Sequence, residues 1–383
     1  MSTHPQTSKL RVAIVAPTLD ILGGHSVQAQ RLLTAWRDDP DVRAWLVPIN
    51  PRPPAVLRAA LGVKYLRTLV TEGTYLPQLV RQLARADVVH IFSASYSSFL
   101  LAPLPAMLVA RVLGRAVVLN YHSGEADDHL RGSTLARAAL ARVDCNVVPS
   151  PFLAEVFARF GLPATVVPNI IDLARFAYRE RHPLRPRFLS TRNLSYPYNV
   201  ACTLRAFAAI QDRRPDASLT VVGSGPDEAA LRQLAVELRL SHVRFLGRVQ
   251  PDAIADIYAD HDIYIQTPDL DNMPLSVIEA FASGLPVVST EAGGMPAILQ
   301  HRRHGLLAPI NDHAAVAREA LLLLSDPDLA RQFAREAYST CASYTWMAAR
   351  QQWLRVYGQA VGNRRGAAPV AEATPTGATQ SRA

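Results

Sequence analysis

Short apolar runs rich in valine and isoleucine alternate along the chain with longer stretches whose apolar residues recur every three or four positions. That alternation is the pattern of parallel β–α units. In the first half the runs at 11–17, 44–49, 88–93, 116–122, 145–150 and 165–169 read as strands, with helices at 26–38, 77–86 and 151–160. Ser150 followed by Pro151 supplies a cap and a first-turn proline for the third helix. A second series follows the Arg- and Pro-rich stretch 178–187, with strands at 187–191, 219–223, 243–247, 263–267, 286–290 and 305–308 and helices at 227–240 and 252–261. The pattern therefore predicts an α/β protein of two doubly wound, Rossmann-like domains joined through 170–187. An amphipathic, aromatic helix at 346–357 closes the pattern. The polar residues 1–9 and the Ala-, Gly-, Thr- and Pro-rich tail are expected to be disordered. The expected division is 1–9 loose, 10–172 first domain, 173–345 second domain, 346–360 a terminal helix and 361–383 tail. Two open parallel sheets bind ligands at the carboxyl ends of their strands, so a cleft between the domains is the expected site.

Length and composition change this picture little. A chain of 383 residues with 49% hydrophobic content supports two such cores. Its net charge of +8 comes almost wholly from arginine, since Lys9 and Lys64 are the only lysines. The arginines are scattered, which argues against a nucleic-acid partner. An acidic small molecule, an anionic membrane surface or a coding bias toward arginine all fit the excess. Cys145, Cys202 and Cys341 lie far apart, without metal-ligand spacing or a disulfide framework, so a reducing compartment and no metal site are expected. The uncharged stretch 91–110 is long enough to cross a membrane, but four serines, Pro103 and Pro105 make it a strand end, loop and short buried helix. The expectation is a cytoplasmic protein, with room for peripheral contact at the inner face of a membrane.

The stretch Asp269-Leu-Asp-Asn-Met-Pro-Leu-Ser-Val-Ile-Glu-Ala-Phe-Ala-Ser-Gly284 carries the chemistry. Pro274 suits the first position of a helix and Gly284 its C′ residue. The amides of Leu275 and Ser276 would then be open at the helix N-terminus, ready for phosphate oxygens. Ser276, Glu279, Ala280 and Ser283 share one helical face, which sets a carboxylate among small residues. Asp271 offers a second carboxylate just before the helix. A capped, buried helix with an incidental glutamate is the alternative.

Acid-x7-acid followed by Ala-x-Ala-x-Gly-x-Pro-Val-Val resembles the hallmark of the retaining GT-B glycosyltransferases of group 1, or family four, related to sucrose synthases and mannosyltransferases. The resemblance covers about residues 10–358. It implies a GT-B architecture, two Rossmann-like domains facing a cleft with a C-terminal helix crossing back to the first. It also implies that Glu279 binds the nucleotide ribose and Asp271 lies near the donor sugar. Asn272, Met273, Leu275 and Ser276 would present backbone amides to sugar and phosphate. Gly23 and Gly24 resemble the family's glycine-rich loop, and His122 a histidine near the donor sugar, although a turn and a strand-capping histidine look the same. The run 167–176 resembles the family's domain linker. Arg248, on the loop that holds the base, is a base or phosphate contact or a solvated arginine. Arg192 matches the arginine that neutralises the donor diphosphate, but Tyr198 stands where the family's lysine falls. Another arginine is expected to substitute.

By the same resemblance, His122, Asp271 and Arg192 form the catalytic set. The reaction would be metal-independent glycosyl transfer with retention from a nucleoside-diphosphate sugar, without a further cofactor. The acceptor would be a glycan, a lipid-linked molecule or a small molecule, in envelope or extracellular glycan synthesis. Apolar, arginine-bearing helices such as 57–70 would let the first domain dock to a membrane-borne acceptor. A non-catalytic nucleotide-sugar-binding subunit and a GT-B epimerase or hydrolase are the alternatives.

Overall fold

The computed structural model describes residues 9–20, 23–51 and 64–366, the side chains of 64–70 excepted. Among these, twelve strands are named in chain order: β1 (Leu10–Ala16), β2 (Val42–Pro48), β3 (Val88–Ser93), β4 (Ala116–Tyr121), β5 (Cys145–Val148) and β6 (Thr165–Val166), then β7 (Arg187–Thr191), β8 (Ser218–Val222), β9 (Val243–Gly247), β10 (Ile263–Ile265), β11 (Val287–Thr290) and β12 (Leu306–Ala308). They form two sheets, in the orders β2-β1-β3-β4-β5-β6 and β12-β11-β10-β7-β8-β9. Every pairing is parallel.

Burial on both faces explains the near-continuous apolar runs, because a parallel sheet is covered by helices above and below. Along β1, Ala13 and Val15 join one core, while Val12, Ile14 and Ala16 join the core on the opposite face. The second sheet repeats this period of two. Phe188, Ile263, Ile265 and Val288 pack on one side, and Leu189, Tyr264 and Val287 on the other.

Several strands stop short of their apolar pattern. Pro17, His122, Ser150, Asn169 and Thr267 lie just past the ladder ends rather than inside them. Those are the carboxyl ends, where the chain leaves the sheet for the cleft.

Two helices differ from expectation. The helix predicted at 77–86 runs over Lys64–Leu83 and carries Pro77 inside it. Tyr75, Leu79 and Leu83 are fully buried at four-residue spacing, and that packing offsets the hydrogen bond a helical proline forfeits. Of the predicted helix 57–70, residues 57–63 lie outside the described residues. The terminal helix is Trp346–Arg365 rather than 346–357, and it ends on Gly366 in the left-handed region at φ 71°. Gly362 is thus helical, and only 367–383 of the expected tail lie outside the described residues, as do 1–8 of the expected loose start.

The terminal helix packs against the first sheet. Its Trp353, Val356, Tyr357 and Ala360 share a core with Val12, Ile14 and Val118. Its Arg350 donates to Asp39 at 2.6 Å and to Asp41 at 2.6 Å. The Arg- and Pro-rich stretch 178–187 is docked on the second lobe. There the buried Arg181 donates to the carbonyls of His261 and Tyr258, each at 3.1 Å, and burial lowers its pKa to about 10. The stretch 91–110 becomes the end of β3 and two short helices, Tyr96–Leu101 and Pro103–Val112. No helix among the described residues is long and apolar enough to cross a membrane.

Candidate active site

Strand order decides where the side chains converge. In the second sheet β7 leads outward to β8 and β9, whereas β10 lies on the other side of β7. Connections diverge there in opposite directions, leaving a crevice beyond the strand ends. Arg192 follows β7 and Asp271 follows β10, so both project into that crevice. The corresponding point of the first sheet lies between β1 and β3, and the Gly23–Gly24 turn follows β1. Between the lobes lies a cleft of ≈ 630 Å³, lined by Gly23, Gly24, His122, Arg192, Arg248, Asp271, Asn272, Met273, Leu275, Ser276 and Glu279. The residues expected to hold the donor are therefore in one place.

The helix that opens into the cleft is Leu275–Ala282, and Pro274 caps it with extended backbone (ψ 120°) instead of occupying its first turn. Among the described residues no backbone carbonyl accepts from the amides of Leu275 or Ser276. Gly284 sits at φ 73°, and a Cβ there would collide with the backbone of Arg179. Of the face expected to hold Glu279 among small residues, only Ser276 and Glu279 reach the cleft; Ala280 and Ser283 are buried.

Arg192 donates to Asp271 at 2.5 Å and to Ser276 Oγ at 3.0 Å. Both members of the pair are about nine-tenths buried, with side-chain exposures of 9% and 11%. Burial raises the Asp271 carboxyl, and Arg192 and the amide of Asn272 offset part of that rise. For Arg192 burial acts against the charge, but Asp271 and the neighbouring tyrosines hold its pKa above the ordinary value. The Tyr198 ring lies 4.2 Å from the Arg192 guanidinium. Where the family's lysine would add a charge, this chain has a cation–π contact that fixes Arg192 in place.

Asn272 and Met273 bring backbone to the cleft and send their side chains elsewhere. Ser150 Oγ hydrogen-bonds Asn272 Oδ1, and the Met273 side chain is buried in the second lobe, where its Sδ accepts from the Asn169 amide at 3.4 Å. A Cβ on Gly23 or Gly24 would meet nothing within 4 Å, so the space over the turn is open. Arg248 is exposed at the rim.

His122 is half-buried. It stacks on Phe92 at 5.1 Å and meets the edge of His25 at 5.3 Å. Its Nε2 has no partner among the described residues. Burial, then the nearby His25 and His90, push its pKa well below the ordinary value; burial lowers His25 to about 4. His122 is therefore neutral at neutral pH, able to hydrogen-bond a hydroxyl without adding charge. The stack continues away from the cleft, from Phe92 to His90 at 5.0 Å and from His90 to Trp353 at 4.6 Å. It links the cleft to the terminal helix.

Two features escaped the sequence reading. Arg31, in the helix Gly24–Ala35, reaches across the cleft and donates to Glu279 Oε1 at 2.9 Å. The local signal is a polar pair, Gln28 and Arg31, one turn apart on a helix whose Ala29 and Leu32 are buried; Gln28 holds the backbone of Ile170, and Arg31 reaches the cleft. Gly293 and Gly294 press against the backbone of Asp271 and Asn272 so closely that a Cβ on either would collide with a carbonyl oxygen. The Gly223-Ser-Gly225 turn after β8, a Gly-x-Gly pattern that the sequence does display, approaches the carbonyls of Arg192 and Leu194 as closely.

Residues 14–175 match the family model described as Glycosyltransferase Family 4, and residues 176–340 that described as Glycosyl transferases group 1. The chain belongs to the group 1 glycosyl transferases. The boundary between the two matches falls between β6 and β7, so each match carries one sheet. N-acetyl-alpha-D-glucosaminyl L-malate synthase of Bacillus anthracis is 34% identical over 139 residues, 36% of each chain. Phosphatidyl-myo-inositol mannosyltransferase of Mycolicibacterium smegmatis is 25% identical over 91% of this chain and 93% of that one. The fold of this group 1 glycosyl transferase is similar to that of Anabaena HepE, solved in complex with UDP-glucose. That match has a TM-score of 0.73 at 16% identity and covers 91% of this chain and 99% of the other.

Proposed function

We propose that the protein transfers a glycosyl unit from a nucleoside-diphosphate sugar to an acceptor hydroxyl, with retention at the anomeric carbon and without a metal. The observation that carries this reading is the placement of Glu279, Asp271 and Arg192 around the open N-terminus of the helix Leu275–Ala282. Ribose hydroxyls donate to Glu279, phosphate oxygens take the amides of Leu275 and Ser276 and the Arg192 guanidinium, and the sugar lies between Asp271 and His122. Charge that builds on the departing diphosphate is met by preorganised donors, which supports a metal-independent reaction. No side chain is assigned as a covalent nucleophile. Attack comes from the face the diphosphate leaves, with its phosphate oxygen taking the acceptor's proton.

The acceptor side is the first lobe. Its helices Tyr96–Leu101 and Pro103–Val112 expose Leu100, Leu101, Leu108 and Val112, with the exposed Arg111 and the half-buried Arg115 beside them. This surface supports a lipid-linked acceptor at the inner face of a membrane, in envelope or extracellular glycan synthesis, and peripheral rather than spanning attachment. Tyr198 in place of the family's lysine favours one rival, a subunit that binds donor without turnover. Incubation with UDP-, GDP- and ADP-sugars and lipid or glycan acceptors separates the two. The expected result is nucleoside diphosphate released with an α-glycoside from an α-linked donor, unchanged by EDTA. Tight donor binding with no glycoside formed from any acceptor supports the binding subunit.

A further inference from the structure

In the cleft three arginines, Arg31, Arg192 and Arg248, face three carboxylates, Glu125, Asp271 and Glu279. The lining charges cancel, and a diphosphate entering such a cleft needs cations that can turn toward it. Arg192 supplies one, yet it is already shared with Asp271 and Ser276 and stacked on Tyr198. Arg248 stands exposed at the rim. Arg31 reaches the cleft from the first lobe, on the helix Gly24–Ala35. Its side chain is 11% exposed and its Nη2 is on Glu279. Its Nη1 donates to the Ile170 carbonyl at 3.2 Å, and its buried Nε, like that of Arg192, has no acceptor among the described residues.

We infer that Arg31 is the second cation of the donor diphosphate site, parked on Glu279 until the donor's ribose takes over that carboxylate. The inference rests on the nucleotide-sugar reading above. A ribose diol gives Glu279 two hydroxyl donors and so replaces the hydrogen bond from Arg31. A buried guanidinium released from one anion is stable only beside another. The diphosphate provides it, because planar guanidinium donors match phosphate oxygens. Glu279 lies about one helical turn, roughly 5 Å, from the open amides of Leu275 and Ser276. That distance is within the swing of an arginine side chain whose helix begins at the Gly23–Gly24 turn. The exchange replaces a direct ion pair between the lobes with one made through the ligand. It also makes the diphosphate, not the nucleoside, the part of the donor that Arg31 recognises.

The test is titration calorimetry on the full chain with UDP and uridine, with GDP and guanosine and ADP and adenosine run in parallel. Wild-type protein is compared with Arg31→Met, Arg31→Lys and Glu279→Gln. For the nucleotide that binds, Arg31→Met is expected to weaken the diphosphate about 10- to 100-fold, the range of a charge-assisted hydrogen bond, and to leave the nucleoside nearly unchanged. Arg31→Lys, which keeps a charge and tests for a folding defect, recovers part of the diphosphate affinity. Glu279→Gln weakens diphosphate and nucleoside by the same factor. Equal loss of diphosphate and nucleoside in Arg31→Met, or unchanged diphosphate affinity, overturns the assignment and reduces Arg31 to an orienting partner of Glu279. Failure of the wild-type protein to bind any of the three diphosphates overturns the donor reading and this inference with it.

Discussion

Arg192 and Asp271 meet at 2.5 Å although 79 residues separate them, because β7 and β10 are neighbours in the second sheet and their loops leave from its switch point. Most of both side chains is buried, so each depends on the other. Arg192→Ala strips the diphosphate site of its best-held cation and leaves Asp271 without its ion-pair partner. The expected results are a loss of about 100- to 1000-fold in kcat, as for removal of an oxyanion donor, and a stability loss of about 3–5 kcal/mol. Steady-state kinetics and urea unfolding measure the two. An Arg192→Ala enzyme with near-normal kcat contradicts the role given to this residue.

Gly293 holds φ at 54°, and a Cβ there would strike the Asp271 carbonyl. Gly293→Ala is therefore expected to push the Asp271 loop away from Arg192. Donor affinity falls while the fold, read by circular dichroism, persists. Wild-type donor affinity in this variant would show that the contact does not set the loop.

These relationships mark what the sequence could and could not show. The apolar run of β1 and the string from Asp271 to Gly284 are local, and the structure repeats them with shifts of a few residues. The pairing of Arg31 with Glu279 spans 248 positions, and only the facing of two lobes creates it. Neither the fit of Gly293 under Asp271 nor the stack from His122 to Trp353 has a spacing that a linear pattern displays. Pro77 pointed to a helix start, but burial of Tyr75, Leu79 and Leu83 overrode that local signal.

Stability should fall in acid. His90 is fully buried between Tyr357 Oη at 3.0 Å and Asn120 Nδ2 at 3.1 Å, and burial lowers its pKa to about 3. The unfolded chain takes up a proton near pH 6.5, whereas the folded chain refuses it down to about pH 3. The contribution is complete above about pH 6.5 and declines below it, by up to about 1.4 kcal/mol per pH unit for one such group. Tm measured from pH 7.5 to 5 is expected to drop, with a shallower slope in His90→Phe. Identical slopes would assign the acid sensitivity elsewhere.

The most direct test of the central claim is a thermal-shift series of wild-type and Glu279→Gln protein against UDP-, GDP- and ADP-sugars. One nucleotide series should raise the wild-type Tm by several degrees, and Glu279→Gln should lose most of that rise. Equal stabilisation of both proteins, or none of the wild type by any nucleotide sugar, would contradict a ribose-binding Glu279 and the donor site built around it.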